Sequence, residues 1–198
     1  AVFFLARILG ALYFINNIDD KDLVARSRRS LIGNSVLFLV FFLSFVIRTL
    51  LADGYAVNPE TGEVFMEPYK YLTNFIEMPL VLVLFLIGVV LVLFGIGKSL
   101  LKTKFDKGIW FTGIGTVLAV LALLLVAGYN NTAYYPSTND LQSSLTLANS
   151  CSSQFTLRVM FYVSFLVPFV LAYIFYAWRS IDIHKISEKE MKDGGHAY

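Results

Sequence analysis

Four charged residues lie where an apolar chain leaves them little water, and these are the first places to look for chemistry. Arg7 interrupts a run of apolar residues at the start of the chain. Its segment ends near Asn16, nine residues on, which places Arg7 about 13 Å deep by helical rise. A guanidinium at that depth needs a partner. The partner is a structural carboxylate or carbonyl, or an anionic cofactor group such as a haem propionate; otherwise the side chain snorkels along a tilted helix. Arg48, Glu77 and Arg158 each stand at the end of a long apolar stretch. They read either as interfacial side chains that snorkel or pair, or as a proton-exit or quinol-site element. In that second reading Glu77 is the carboxylate and an arginine tunes its acidity.

Other reactive types are scarce. Cys151 is the only cysteine, so no intrachain disulfide and no CxxC motif exists. Both histidines, His184 and His196, fall in the last 15 residues and read as solvated tail groups. No apolar segment carries a histidine, so the usual axial haem ligand is missing from every span, and Met160 alone is a poor substitute. A Gly-rich phosphate loop, a Ser-His-Asp set and an HExxH motif are all absent from the sequence. No metal site is expected. Asn130-Asn131-Thr132 fits a short glycosylation sequon.

The elements that must position these residues follow from composition. Of 198 residues, 57% are hydrophobic and 15% charged, against about 25% charged in soluble domains. That excludes a disordered chain or a disulfide scaffold and points away from a soluble enzyme. A net charge of +2 gives no reason to expect nucleic acid. About 20 apolar residues cross the hydrocarbon, and four stretches qualify: 31–52, 74–97, 108–128 and 157–178. A fifth, 1–16, is short and reads as the end of a helix whose beginning is absent. The fold class is therefore all-α, a polytopic membrane helical bundle of four full transmembrane helices plus the end of a fifth. Residues 17–30 are a basic loop, 31–178 the bundle, and 179–198 a tail.

Lysine and arginine alternate across the connections. Residues 17–30 hold four, 53–73 one (Lys70), 98–107 four, 129–156 none, and the tail after Trp178 four. Basic loops stay on the cytoplasmic side, so the C-terminus is expected inside, with 53–73 and 129–156 outside. Trp110, Tyr173, Tyr176 and Trp178 fall near the inner surface; Tyr69, Tyr71, Tyr129, Tyr134 and Tyr135 fall near the outer one. Small residues four apart, Ala6/Gly10 and Gly115/Ala119, are candidates for close helix packing. Pro168 should bend its helix or loosen one turn.

The last third of the chain reads Ser144-Leu145-Thr146, then Ser152-Ser153-Gln154-Phe155-Thr156-Leu157-Arg158-Val159-Met160, then Pro168, Tyr173 and Trp178. This run resembles the C-terminal signature of cytochrome bd ubiquinol oxidase subunit II. Asn74-Phe75 followed by Pro79 is similar to that family's Asn-Phe-x-x-x-Pro. Asp53-Gly54-Tyr55, Pro136-Ser137-Thr138 and Gly10-Ala11 with Tyr13 also stand in the expected order. The resemblance covers nearly all 198 residues and implies the end of the fourth helix and all of helices five to eight of an eight-helix subunit.

The resemblance also implies a function. Such a chain is a non-haem-ligating membrane subunit of a terminal quinol oxidase in the bacterial inner membrane. Quinol oxidation is coupled there to reduction of oxygen to water and to a proton gradient. The haems belong to a partner, subunit I, and small single-helix subunits are further partners of this class. A quinone site and a proton path, where members have them, use the N-terminal half of the subunit, so no catalytic residue is carried onto these positions. Only Arg7 is kept as a cofactor-contact candidate. A different reading from the residues alone is half of a small-solute transporter, with Gly88, Gly95, Gly97 and Pro168 as helix breaks.

Overall fold

The computed structural model describes residues 1–102, 105–182 and 186–187. Lys104, His184, Lys185, Lys189, Lys192 and His196 lie outside the described residues. The chain is a helical membrane protein, with four helical stretches among the described residues long and apolar enough to cross a bilayer. Helix α1 is Val2–Asn17 and α2 is Lys21–Leu51. A hairpin of β2, Gly54–Val57, and β3, Val64–Glu67, follows. Short helix α3, Lys70–Glu77, leads into α4, Pro79–Leu101, and α5, Gly108–Gly128. A one-turn helix α6, Leu147–Ser150, precedes α7, Gln154–Ser164, and α8, Val167–Asp182. The two-residue strands β1, Ile18–Asp19, and β4, Ile186–Ser187, pair in parallel.

Helix α2 starts about three turns before its apolar stretch. The residues expected as a basic loop, from Lys21 onward, are helical instead. The cause is local. Asp20 accepts from the Leu23 amide at 2.8 Å, and Asp22 sits in the positive first turn. At 31 residues α2 is about 46 Å long, well beyond about 30 Å of hydrocarbon, so the Lys21–Ser30 end projects into the headgroup zone.

The second expected span divides. Met78 breaks the helix with φ −112 and ψ 72, and Pro79 occupies the first turn of α4, where no amide donor is needed. Asn74 therefore belongs to α3, outside the span. Pro168 has the effect expected of it. Around it the bonds tighten to i−3: Phe165 to Tyr162, Leu166 to Val163, and Phe169 to Leu166. The result is a loosened joint between α7 and α8 within one 27-residue apolar stretch.

Helices α4 and α5 form the tightest pair. Buried positions Gly108, Thr112, Gly115, Ala119, Ala122 and Val126 repeat at alternating steps of four and three, facing Phe85, Gly88, Val92, Gly95 and Ser99. That 3.5-residue period belongs to left-handed helix pairing. A Cβ on Gly88 would stand 2.6 Å from the Ala119 amide nitrogen, and one on Gly115 would stand 2.6 Å from the Gly88 carbonyl. Gly88 and Gly95 thus make a seam and do not break α4. Of the two small-residue pairs, Gly115/Ala119 packs in this seam; Ala6 is exposed, and Gly10 has open space where a Cβ would stand.

Two apolar cores result. Ile8, Leu12, Ile15, Leu31, Phe38 and Ile96 fill the basic end, while Phe75, Phe85, Ala122 and Val126 fill the opposite end. Phe42 joins them, its ring 5.4 Å from Phe38 and 6.4 Å from Phe85. The bundle is made of α1, α2, α4 and α5. The fourth full span, α7–α8, stands beside it with no buried residue in its most apolar window. It borders the bundle across a cleft where Tyr13, Asn16, Ile109 and Trp110 face Leu171, Ile174, Phe175 and Trp178.

Candidate functional site

The end of the bundle opposite the basic loops carries a continuous cap. In the β2–β3 hairpin, Gly54 is opposite Glu67 and Val57 opposite Val64. Residues 131–133 pair with the edge of β2 through a single antiparallel bridge, Ala56 to Thr132: the Val57 amide donates to the Asn131 carbonyl at 2.8 Å, and the Ala133 amide to the Tyr55 carbonyl at 2.9 Å. On the hairpin's other edge Gln142 stands in for a strand. Its amide nitrogen donates to the Val64 carbonyl at 2.8 Å, and its oxygen accepts from the Val64 amide at 2.9 Å. The loops at 53–73 and 129–146 are thereby one unit.

Asn74 ties this unit to the membrane helices. It is fully buried. Its amide donates to the Val126 carbonyl and to the Thr132 hydroxyl, both at 2.8 Å. Its oxygen accepts from Asn130 at 3.0 Å. Val126 lies in the last turn of α5, where carbonyls lack intrahelical partners, so Asn74 caps that helix from outside. Next to it, buried Phe75 packs on Phe85 at 5.3 Å. The Asn74-Phe75-x-x-x-Pro79 motif thus has three jobs: capping α5, filling the core and starting α4.

Glu77 accepts a hydrogen bond from Asn130 at the surface of the cap. Asn130 and Asn131 both take left-handed backbone angles, φ 58 and 52, which asparagine tolerates better than most residues. The sequon is therefore part of this network: the Asn130 amide is engaged, and the Thr132 hydroxyl is buried. Buried Lys70 pairs with Glu67 at 3.1 Å. Burial pushes the Tyr71 hydroxyl above its ordinary value, and neighbouring Tyr55 adds to the rise. Sequence reasoning missed Asn130, Lys70 and Gln142 as cap residues. The Asn-Asn doublet, a turn signal, was the one available sign.

The structure does not bring Arg48, Glu77 and Arg158 together. All three are exposed, and among the described residues no ion pair joins them. Arg7 is exposed too. Its guanidinium lies 5.8 Å from the Phe3 ring centre, and no carboxylate lies within ion-pair reach among the described residues. It borders a groove with Arg26 and Ser30, level with the polar beginning of α2. The α2 residues that share this groove with Arg7 all precede the apolar stretch that begins at Leu31. At the basic end Arg28 donates to the carbonyls of Ser99 and Lys102, the latter at 3.3 Å, and so closes the C-terminal turn of α4. Lys98 lies over Phe94 and Phe105, at 4.9 and 4.6 Å. Cys151 is exposed in the loop before α7.

No group of three His, Cys, Asp or Glu side chains among the described residues could hold a metal ion. The donors present on the spans do not suit a haem iron: they include no histidine, and Met160 is exposed on α7.

Comparison with known proteins gives this architecture a family. The model of cytochrome bd terminal oxidase subunit II matches residues 1–181. Cytochrome bd-I ubiquinol oxidase subunit 2 of Escherichia coli K12 is 32% identical over 136 residues, which is 68% of this chain and 34% of that protein. The same protein from E. coli O6:H1 and O157:H7 matches equally. The chain spans about a third of the length of the curated relatives it matches. The chain belongs to the cytochrome bd terminal oxidase subunit II family.

Proposed function

We propose that this chain is part of the non-haem-ligating membrane subunit of a terminal quinol oxidase, seated in the bacterial inner membrane beside a haem-bearing subunit I. The complex oxidises quinol, reduces oxygen to water and builds a proton gradient. The family match over residues 1–181 carries this reading. The four apolar spans and the alternating Lys/Arg counts support a multi-pass subunit with the cap outside and the C-terminus in the cytoplasm. Arg48, Glu77 and Arg158 act in this reading as interfacial groups, with Glu77 bracing the cap through Asn130. Any quinone held by the complete subunit, and any small single-helix subunits, belong to the assembled complex.

The test is purification of the assembled oxidase through a tag on the full-length subunit, followed by oxygen uptake with a quinol donor. Haem-bearing partner and quinol-dependent uptake together support the reading. A homogeneous complex with neither overturns it. Glu77→Gln in the assembled complex should leave turnover within about twofold of wild type, because an exposed carboxylate bonded to an amide contributes little to a reaction elsewhere. A large loss of turnover with intact assembly would make Glu77 a proton-exit group instead.

A further inference from the structure

At the basic end of the bundle, α1 and the projecting start of α2 enclose an open groove of about 410 Å³. Arg7 lines it from α1 and Arg26 from α2, with Ser30 beside them and Phe14 and Leu23 as apolar wall. The groove is empty space, not a packing gap: a Cβ on Gly10, which borders it, would meet nothing within 4 Å. Both arginines are exposed, and neither has a carboxylate in ion-pair reach among the described residues. Arg26 donates only a long, 3.5 Å hydrogen bond to the backbone carbonyl of Asp22, within its own helix. Arg28, two residues on, is by contrast committed to the end of α4.

The groove stands where α2 passes from charged residues to its apolar stretch beginning at Leu31. Two exposed guanidiniums outside any ion pair among the described residues, beside an apolar wall at the polar start of α2, match a phosphodiester with its glycerol and first acyl carbons. We propose that this groove binds the headgroup of an anionic membrane phospholipid, with its phosphate held between Arg7 and Arg26. Charge explains the preference for anionic over zwitterionic lipid, and Gly10 explains how the lipid approaches the α1 backbone.

The test uses the delipidated full-length complex in detergent, titrated with dioleoyl phosphatidylglycerol or dioleoyl phosphatidylcholine and read by native mass spectrometry. Wild type should bind phosphatidylglycerol preferentially. Arg7→Gln and Arg26→Gln should each weaken that binding about fivefold, as expected for one headgroup-contacting cation. Lys21→Gln, which removes an equal charge outside the groove, should not. Gly10→Leu fills the groove and keeps both charges; it should also lose phosphatidylglycerol, and it covers the case in which an arginine variant fails to assemble. Equal binding by wild type and Gly10→Leu, or equal loss in Lys21→Gln, overturns the proposal. So does displacement by millimolar inorganic phosphate, which would mean a free-anion site.

Discussion

Replacing Asn74 with alanine should unlock the outer cap from the membrane helices. The wild-type side chain is fully buried and makes three hydrogen bonds, to Val126, Thr132 and Asn130. Each such bond is worth about 1 kcal/mol net, so the loss is about 3 kcal/mol. The Val126 carbonyl is left without its side-chain donor in the last turn of α5. A loss of about 3 kcal/mol raises the population of the open cap roughly a hundredfold. Hydrogen exchange of peptides covering residues 54–57 and 131–133, measured on the assembled full-length complex, reads this directly. The amides of Val57 and Ala133 report on the pairing of those segments. Asn74→Leu, which restores volume without hydrogen bonds, should behave like alanine. Exchange within about threefold of wild type in both variants would refute the argument. Protection restored by leucine alone would show that packing, and not hydrogen bonding, holds the cap.

Three further outcomes follow from the same geometry. Gly88→Ala should lower the thermal stability of the complex by about 1–3 kcal/mol, because its Cβ meets the backbone of Ala119 at 2.6 Å; Gly97→Ala, with open space, should be neutral or stabilising in the same melting assay. Arg28→Gln should destabilise the basic end by about 1–2 kcal/mol by uncapping α4, seen as faster exchange of residues 98–102. Tyr71 has a folded-state value raised above 10.0 by burial and then by Tyr55. The folded cap therefore holds the proton more tightly than the unfolded chain, and this stabilisation is complete below pH 10 and fades as the pH rises beyond it. Tyr71→Phe should flatten the alkaline decline of cap protection.

The spans were legible because apolar length is written directly in the sequence, and hydrocarbon thickness is fixed. Pro168 was legible for an equally local reason: a missing amide donor loosens a turn wherever it falls. The Asn74–Pro79 motif was visible as a pattern, but its work was not, because Val126 and Thr132 lie more than 50 residues away. The start of α2 was hidden because hydropathy sees only the apolar part of a helix. Asp20 and the charged turns after it extend the helix into water, where no apolar period is required. The separation of α7–α8 from the other helices was also invisible. An apolar span has the same composition whether it faces lipid or a protein neighbour. Arg48, Glu77 and Arg158 share a predicted membrane level, yet level says nothing about azimuth around the bundle, and the structure leaves them apart.

The most direct test of the central reading is a reduced-minus-oxidised spectrum of the complex captured through the full-length subunit, compared with membranes lacking that subunit. The account predicts haem bands of the bd type in the captured complex, their loss from membranes without the subunit, and no haem bands from the subunit when it is separated from its partner. Haem bands retained by the separated subunit, or a captured complex with no haem at all, would contradict it.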